Sequence, residues 1–153
     1  MILWRLSGAN YAHLFDGGYG LHNSGRWNSQ GNPITYCATS PSLCVLEKLV
    51  HVEDPTLLPK LTFVCYDVPD DIAIRRISLA DLPADWQQQD FLTQNHGDEW
   101  LGSRSSPLMF VPSAVLPVKD SPDVNVLVNH AHANTRRIRT RSLDEFTFDA
   151  RLL

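Results

Sequence analysis

The sequence predicts an α+β fold, and three observations carry that prediction. Strand-like and helix-like segments do not alternate regularly, which argues against a doubly wound sheet. The last third is strand-rich, with Leu108–Val111, Val124–Asn129, Arg136–Arg141 and Glu145–Phe148 each reading as strand. No composition shift and no internal repeat divides the 153 residues, so one domain over 1–153 is expected. A chain of this length buries ~70% of the surface it exposes when unfolded.

The remaining elements follow in order. Ile2–Leu6 reads as a first short strand, and Gly17, Gly18, Gly20 and Gly25 mark a loop between Asp16 and Arg26. Ile34–Ala38 is a strand beyond the Gly31-Asn32-Pro33 turn. Ser40-Pro41 supplies an N-cap with proline at the first helical position, starting a helix that runs to about His51 and stops before Asp54-Pro55. Leu61–Val68 alternates like a strand, with Phe63 and Cys65 on one side and Thr62, Val64 and Tyr66 on the other. Ser78–Asp81 is a weak capping-box start, broken by Pro83. A second helix is expected over Gln87–Leu101, ending at Gly102.

Composition excludes several classes. Apolar residues make up 43% and charged residues 20%, an ordinary soluble globular balance. Apolar runs reach only four residues, as in Leu43–Leu46, against the ~20 that a membrane span needs. The N-terminal MILWRLSGAN meets an arginine early and offers no signal-peptide core. A cytoplasmic location is therefore expected.

The net charge of −4 repels nucleic acid overall, and no direct nucleic-acid binding is expected. Four basic residues cluster at Arg136, Arg137, Arg139 and Arg141, with Arg137, Arg139 and Arg141 on one face of the expected strand. A solvated strand face is the preferred reading, ahead of a docking strip for an acidic partner. Cys37, Cys44 and Cys65 form an odd set without CxxC spacing and read as reduced, buried small hydrophobes. Phosphate-loop, GxGxxG, HExxH and GxSxG motifs are absent. His130 and His132, and His96 beside Asp98 and Glu99, lack zinc spacing, so no metal is expected.

One constellation rises above this background: Gly25-Arg26-Trp27-Asn28, then Tyr36, then Glu47 eleven residues later. Glu47 falls about 40° from Leu43 and about 60° from Val50 around the Ser40-capped helix. A carboxylate on the flank of an apolar stripe must be paired or reach water. It is either a half-exposed side chain beside Lys48 or His51, or a carboxylate held at a pocket rim. Arg26 among glycines is either solvated or a bidentate phosphate ligand.

At these residues the chain resembles the RES-domain toxins of bacterial toxin–antitoxin modules. The resemblance is carried by GRWN, the Gly-Asn-Pro turn, ITYCATSP, the helix bearing Glu47, FVPSAV with Ser113, and NVLVNHAH. Asn129-His130-Ala131-His132 departs from the Asn-Pro-then-His order of the family, which leaves the role of His132 open. The resemblance implies a split mixed β-sheet similar to ADP-ribosyltransferases, gripping NAD. It implies Arg26, Glu47 and Ser113 as the residues that give the family its name, with Tyr36 as the usual fourth member. It further implies cleavage of the nicotinamide–ribose bond by hydrolysis or phosphorolysis, with NAD as substrate, phosphate as possible co-substrate and no prosthetic group. A helix-turn-helix antitoxin of the Xre type and a homodimer are the partners it implies.

Those residues suit the chemistry. The breaking bond leaves positive charge at the ribose C1, and Glu47 would stabilise it. Arg26 would hold the pyrophosphate and Tyr36 would face the nicotinamide ring. Ser113 would bond the nicotinamide amide or Glu47, with no base in view to activate its hydroxyl. Asn129 and Trp27 are further substrate-contact candidates, and Arg5 is a second phosphate contact or the partner of an acid. Transfer of ADP-ribose to a protein, and a non-enzymatic module docking through its arginines, are the alternatives.

Overall fold

The computed structural model describes residues 1–153. Its strands are β1 (Ile2–Gly8), β2 (Ile34–Ala38), β3 (Leu61–Asp67), β4 (Ile74–Arg76), β5 (Leu108–Val111), β6 (Asn125–Asn129) and β7 (Arg139–Phe146). The α-helices are α1 (Gly18–His22), α2 (Pro41–Leu49) and α3 (Asp90–Ser103). The strands form one mixed sheet in the order β4-β5-β6-β2-β1-β3-β7. Only β4 and β5 are parallel, and every other neighbouring pair is antiparallel. The α+β expectation holds. No helix is long and apolar enough to cross a membrane.

The sheet is split at its centre. β1 pairs with β3 over seven residues and β2 with β6 over five, yet β1 meets β2 at the single pair Trp4↔Ala38. Beyond that joint the two strands diverge toward Gly8 and Ile34, opening a wedge in the sheet.

Strand alternation divides the core between the two sheet faces. Leu3, Cys37, Val64, Tyr66, Leu108, Phe110, Val126 and Val128 fill one face. On the other, Ile34, Met109, Val111 and Leu127 pack with Trp27, Trp86 and Trp100 around α3. Farther along the same face, Ala38, Leu43 and Cys44 seat α2 beside Trp4 and Phe63. Ser40 caps α2 as expected, its Oγ accepting from the Leu43 N–H at 3.2 Å. All three cysteines are free and buried. Burial pushes the Cys37 and Cys44 thiols up to about 12, which makes them poor nucleophiles.

Four local readings change. Arg136–Arg141 and Glu145–Phe148 are not two strands: Ala133–Arg137 is a 3₁₀ turn and β7 runs unbroken after it. The turn is tightened by the Thr135 hydroxyl, which donates to the Asn129 carbonyl at 2.5 Å. β3 supplies seven backbone partners along β7, overriding the Ser142–Asp144 break. Arg137 therefore precedes the strand and pairs with Asp71 at 2.7 Å, while Arg141 stands 3.6 Å from Asp67, in keeping with a solvated surface. α3 begins at Asp90 and continues through Gly102, its left-handed cap being Arg104 at φ 51°. α1 and β4, of five and three residues, carry too little periodicity to be read from sequence.

Candidate active site

The wedge between β1 and β2 continues into a cleft of about 1190 Å³, lined by Arg5, Arg26, Tyr36 and Glu47 among others. Its floor near the joint is built by backbone register. Ala38 of β2 faces Asn125 of β6, which in turn faces Val111 of β5. Ser113 follows two residues beyond that strand end, so the fold brings Asn125 and Ser113 together under the α2 helix.

Glu47 is half-buried and its carboxylate is fixed from below. The Ser113 hydroxyl donates to Oε1 at 2.7 Å and the Asn125 amide donates to the same oxygen at 2.6 Å. No protein donor binds Oε2, so that oxygen is available to a substrate. Ser113 is buried, and its Oγ also accepts from the backbone N–H groups of Val115 and Leu116, at 3.1 and 2.9 Å. With its proton given to Glu47 and its lone pairs used, the hydroxyl positions the carboxylate and is not itself poised to attack. Sequence reasoning missed Asn125. Its only signal is the Asn-Val-Leu-Val-Asn run, in which Asn129 was the residue favoured.

Across the cleft, the Arg26 guanidinium donates to the Gln87 carbonyl at 3.1 Å, pairs with Asp90 at 3.1 Å and lies 5.8 Å above the Trp86 ring. These contacts hold a planar donor fork that keeps further N–H groups for an anion. The Tyr36 hydroxyl donates to Asn28 Oδ1 at 2.6 Å and accepts from the Trp27 N–H at 3.1 Å. Burial raises its pKa further above the usual phenol value, so it stays neutral and its hydrogen bond to Asn28 persists. Gly25 is required here, because a Cβ would stand only 2.6 Å from Tyr36 Oη.

Trp27 and Asn129, the further substrate-contact candidates, are placed differently from each other. Trp27 lines the cleft, yet it is only 1% exposed, with its indole packed 6.2 Å from Trp86 in the core. Asn129 is fully buried and does not line the cleft: its amide donates to the Leu101 carbonyl at 3.1 Å and accepts from Ala131 N–H at 3.0 Å. The strand-end position that made it attractive makes it a cap instead. Arg5 lines the cleft but pairs with no acid; it donates to the carbonyls of Tyr11, Ala12 and Leu14. His130 bonds Thr35 at 2.9 Å, and burial lowers its pKa to about 4, leaving it neutral near pH 7. His132 accepts from Asn134 N–H at 3.1 Å in its turn.

This arrangement predicts a positioning role for Asn125 and Ser113. Asn125→Ala and Ser113→Ala should each lower kcat about 10- to 100-fold with KM little changed, since a misaligned group of this kind costs up to about 100-fold. Steady-state kinetics with both variants checks this; a rise in KM at constant kcat would assign them to substrate binding instead.

Comparison with known proteins agrees with the fold. The RES domain profile matches residues 2–149. A Pseudomonas putida protein named Toxin Res is 39% identical over 157 residues, covering 99% of each chain. A Toxin Res from Photorhabdus laumondii is 35% identical over 156 residues, covering 100% of this chain and 97% of the relative. A Sphingobium protein named Prs ADP-ribosylating toxin is 29% identical over 133 residues, covering 84% and 80%. A chain from the crystal structure of the M. tuberculosis MbcT–MbcA toxin–antitoxin complex shares the fold, with TM-score 0.71 at 18% identity over 95% of this chain and 84% of that one. The split mixed sheet is accordingly of the ADP-ribosyltransferase-like kind. By its matched profile, its full-length relatives and its fold, the chain belongs to the RES-domain family, that of the Res toxins.

Proposed function

We propose that this protein is the toxin of a toxin–antitoxin pair and that it depletes NAD by cleaving the nicotinamide–ribose bond. The observation that carries the reading is the Glu47 carboxylate, fixed through one oxygen by Ser113 and Asn125 and facing the same cleft as Arg26 and Tyr36. As the bond between ribose C1 and the pyridinium nitrogen breaks, its electron pair goes to that nitrogen, and nicotinamide leaves neutral. No general acid is needed. The ribose is left as an oxocarbenium-like centre, which Glu47 Oε2 stabilises. An oxygen of water or phosphate then bonds C1. Water gives ADP-ribose with a proton released, and phosphate gives the 1-phosphate.

Arg26 orients the pyrophosphate, and the face of Tyr36 holds the nicotinamide ring. An antitoxin of the Xre type silences the toxin by closing the cleft, and the working unit is a cytoplasmic homodimer. The Sphingobium relative's name favours one second reading, transfer of ADP-ribose to a protein acceptor.

The test is to incubate the purified chain, free of antitoxin, with NAD in buffers with and without phosphate, following intact NAD and free nicotinamide. Release in both buffers names water as sufficient; release only with phosphate names phosphorolysis. NAD that stays intact until cell extract is added, with label appearing on a protein, would move the assignment to the second reading.

A further inference from the structure

The wedge has an open end that the cleavage chemistry does not use. Glu47 sits over the joint, where Trp4 faces Ala38. Four residues along the diverging strands lie Gly8 and Ile34, which the strand rise puts ~13 Å from the joint. Around that end the cleft is lined by Tyr11, Leu14, Gly17, Gly18 and Tyr19. Three of the four tyrosines of the chain therefore line the one cleft. Tyr36 is packed and hydrogen-bonded, but Tyr11 and Tyr19 are 68% and 61% exposed, and their hydroxyls bond nothing in the chain.

Both exposed rings stand on backbone that is tied down. Arg5 gathers the Tyr11, Ala12 and Leu14 carbonyls at 3.2, 2.9 and 2.9 Å. On the facing segment, Gly17 adopts φ 75°, and a Cβ there would collide with the backbone of Pro33 and Ile34. The Gly31 N–H donates to the Gly20 carbonyl at 2.9 Å, and the Asn23 amide donates to the Tyr19 carbonyl at 3.2 Å. A rigid mount under an exposed, apolar, flat ring lowers the ordering cost of stacking a planar ligand. Other exposed apolar side chains, such as Leu57 and Phe91, lie outside this cleft.

The size of the cleft points the same way. At about 1190 Å³ it exceeds the ~300–1,000 Å³ of an ordinary small-molecule pocket. A nicotinamide riboside alone leaves the tyrosine end empty, whereas a ribose, a pyrophosphate and a second ribose bridge the gap to another heterocycle. We propose that Tyr11 and Tyr19 form the stacking platform for the adenine ring of the substrate, so that the protein selects the dinucleotide over nicotinamide mononucleotide. The platform rests on the NAD-cleaving reading above. Adenine binding so far from the breaking bond anchors the reacting ribose at Glu47.

The experiment compares kcat/KM for NAD with that for nicotinamide mononucleotide in the wild type, in Tyr11→Ala/Tyr19→Ala and in Tyr11→Phe/Tyr19→Phe. Loss of one base stack is expected to reduce the NAD-to-mononucleotide preference about 30-fold in the alanine pair, through KM for NAD. The phenylalanine pair keeps the flat faces and should retain the preference within about twofold. An unchanged preference in the alanine pair, with nicotinamide still released, overturns the platform and leaves the cleavage reading standing. Loss of antitoxin binding with that preference unchanged also overturns it, and assigns the tyrosines to a protein contact. Absence of nicotinamide release from either substrate in the wild type overturns the cleavage reading and the platform together.

Discussion

Glu47→Gln is expected to abolish NAD cleavage while leaving the fold intact. Glutamine keeps the length of the side chain, and its carbonyl oxygen still accepts from Ser113 and Asn125, the two bonds that fix Glu47. The substituted oxygen, Oε2, is the one facing the oxocarbenium, and an amide there carries no negative charge. Losing such a preorganised electrostatic contact costs about a thousandfold in kcat. Because Glu47 is half-buried and its hydrogen bonds persist, the melting temperature should move by no more than about 2 °C. Nicotinamide release and thermal unfolding, measured on the same preparation, separate the two effects. A variant that unfolds like wild type and still cleaves NAD at the wild-type rate removes Glu47 from the mechanism.

Gly97→Ala should damage stability and activity together, from a position outside the cleft. Gly97 lies in α3 and is buried, and a Cβ there would overlap the Trp27 carbonyl, with the Trp27 Cα and C also close. In an exposed helix interior, alanine would stabilise by ~1 kcal/mol over glycine. Here the methyl group meets backbone, which cannot rotate aside, and overpacking of this kind costs ~3 kcal/mol. A net loss of ~2 kcal/mol lowers the melting temperature of a chain this size by about 4–8 °C.

The functional effect has a defined route. Pushing α3 from the Gly25–Asn28 segment moves Arg26, and with it the Trp27 N–H and Asn28 Oδ1 that hold the Tyr36 hydroxyl. The Gln94 amide, which donates to the Gly25 carbonyl at 2.9 Å, would be pulled away by the same shift. KM for NAD should therefore rise as well. Gly102→Ala is the control, since a Cβ at Gly102, in the same helix, meets nothing within 4 Å. It should be neutral or slightly stabilising, with unchanged kinetics.

Local chemistry was legible in the sequence wherever one short segment decides its own structure. Ser40-Pro41 starts α2 as a cap and a first-turn proline do anywhere, and the Leu61–Asp67 alternation survives because each side faces a different core cluster. Arg26, Tyr36 and Glu47 were legible as candidates because they stand on such segments, and the structure brings all three to one cleft. Asn125 and Asn129 bracket one strand and look alike in sequence, so nothing local marks Asn125.

What separates them is register, a property of pairs of strands. The pairs Ala38↔Asn125 and Val111↔Asn125 place Asn125 at the joint beside Ser113, whereas Asn129, four residues on, is walled in by Leu101 and Ala131. Strand register depends on the whole sheet closing at once, and so does the wedge between β1 and β2. Local pattern therefore suffices for the α+β class, the capped helix and the choice of Glu47 and Arg26 as candidates. Packing across the chain sets that Ser113 and Asn125 share one oxygen of Glu47, that Asn129 is buried away from the cleft, and that Tyr11 and Tyr19 stand exposed at the open end. The reason is physical: propensity and capping act over a few bonded neighbours, while these contacts join residues far apart along the chain, set by how strands and helices pack.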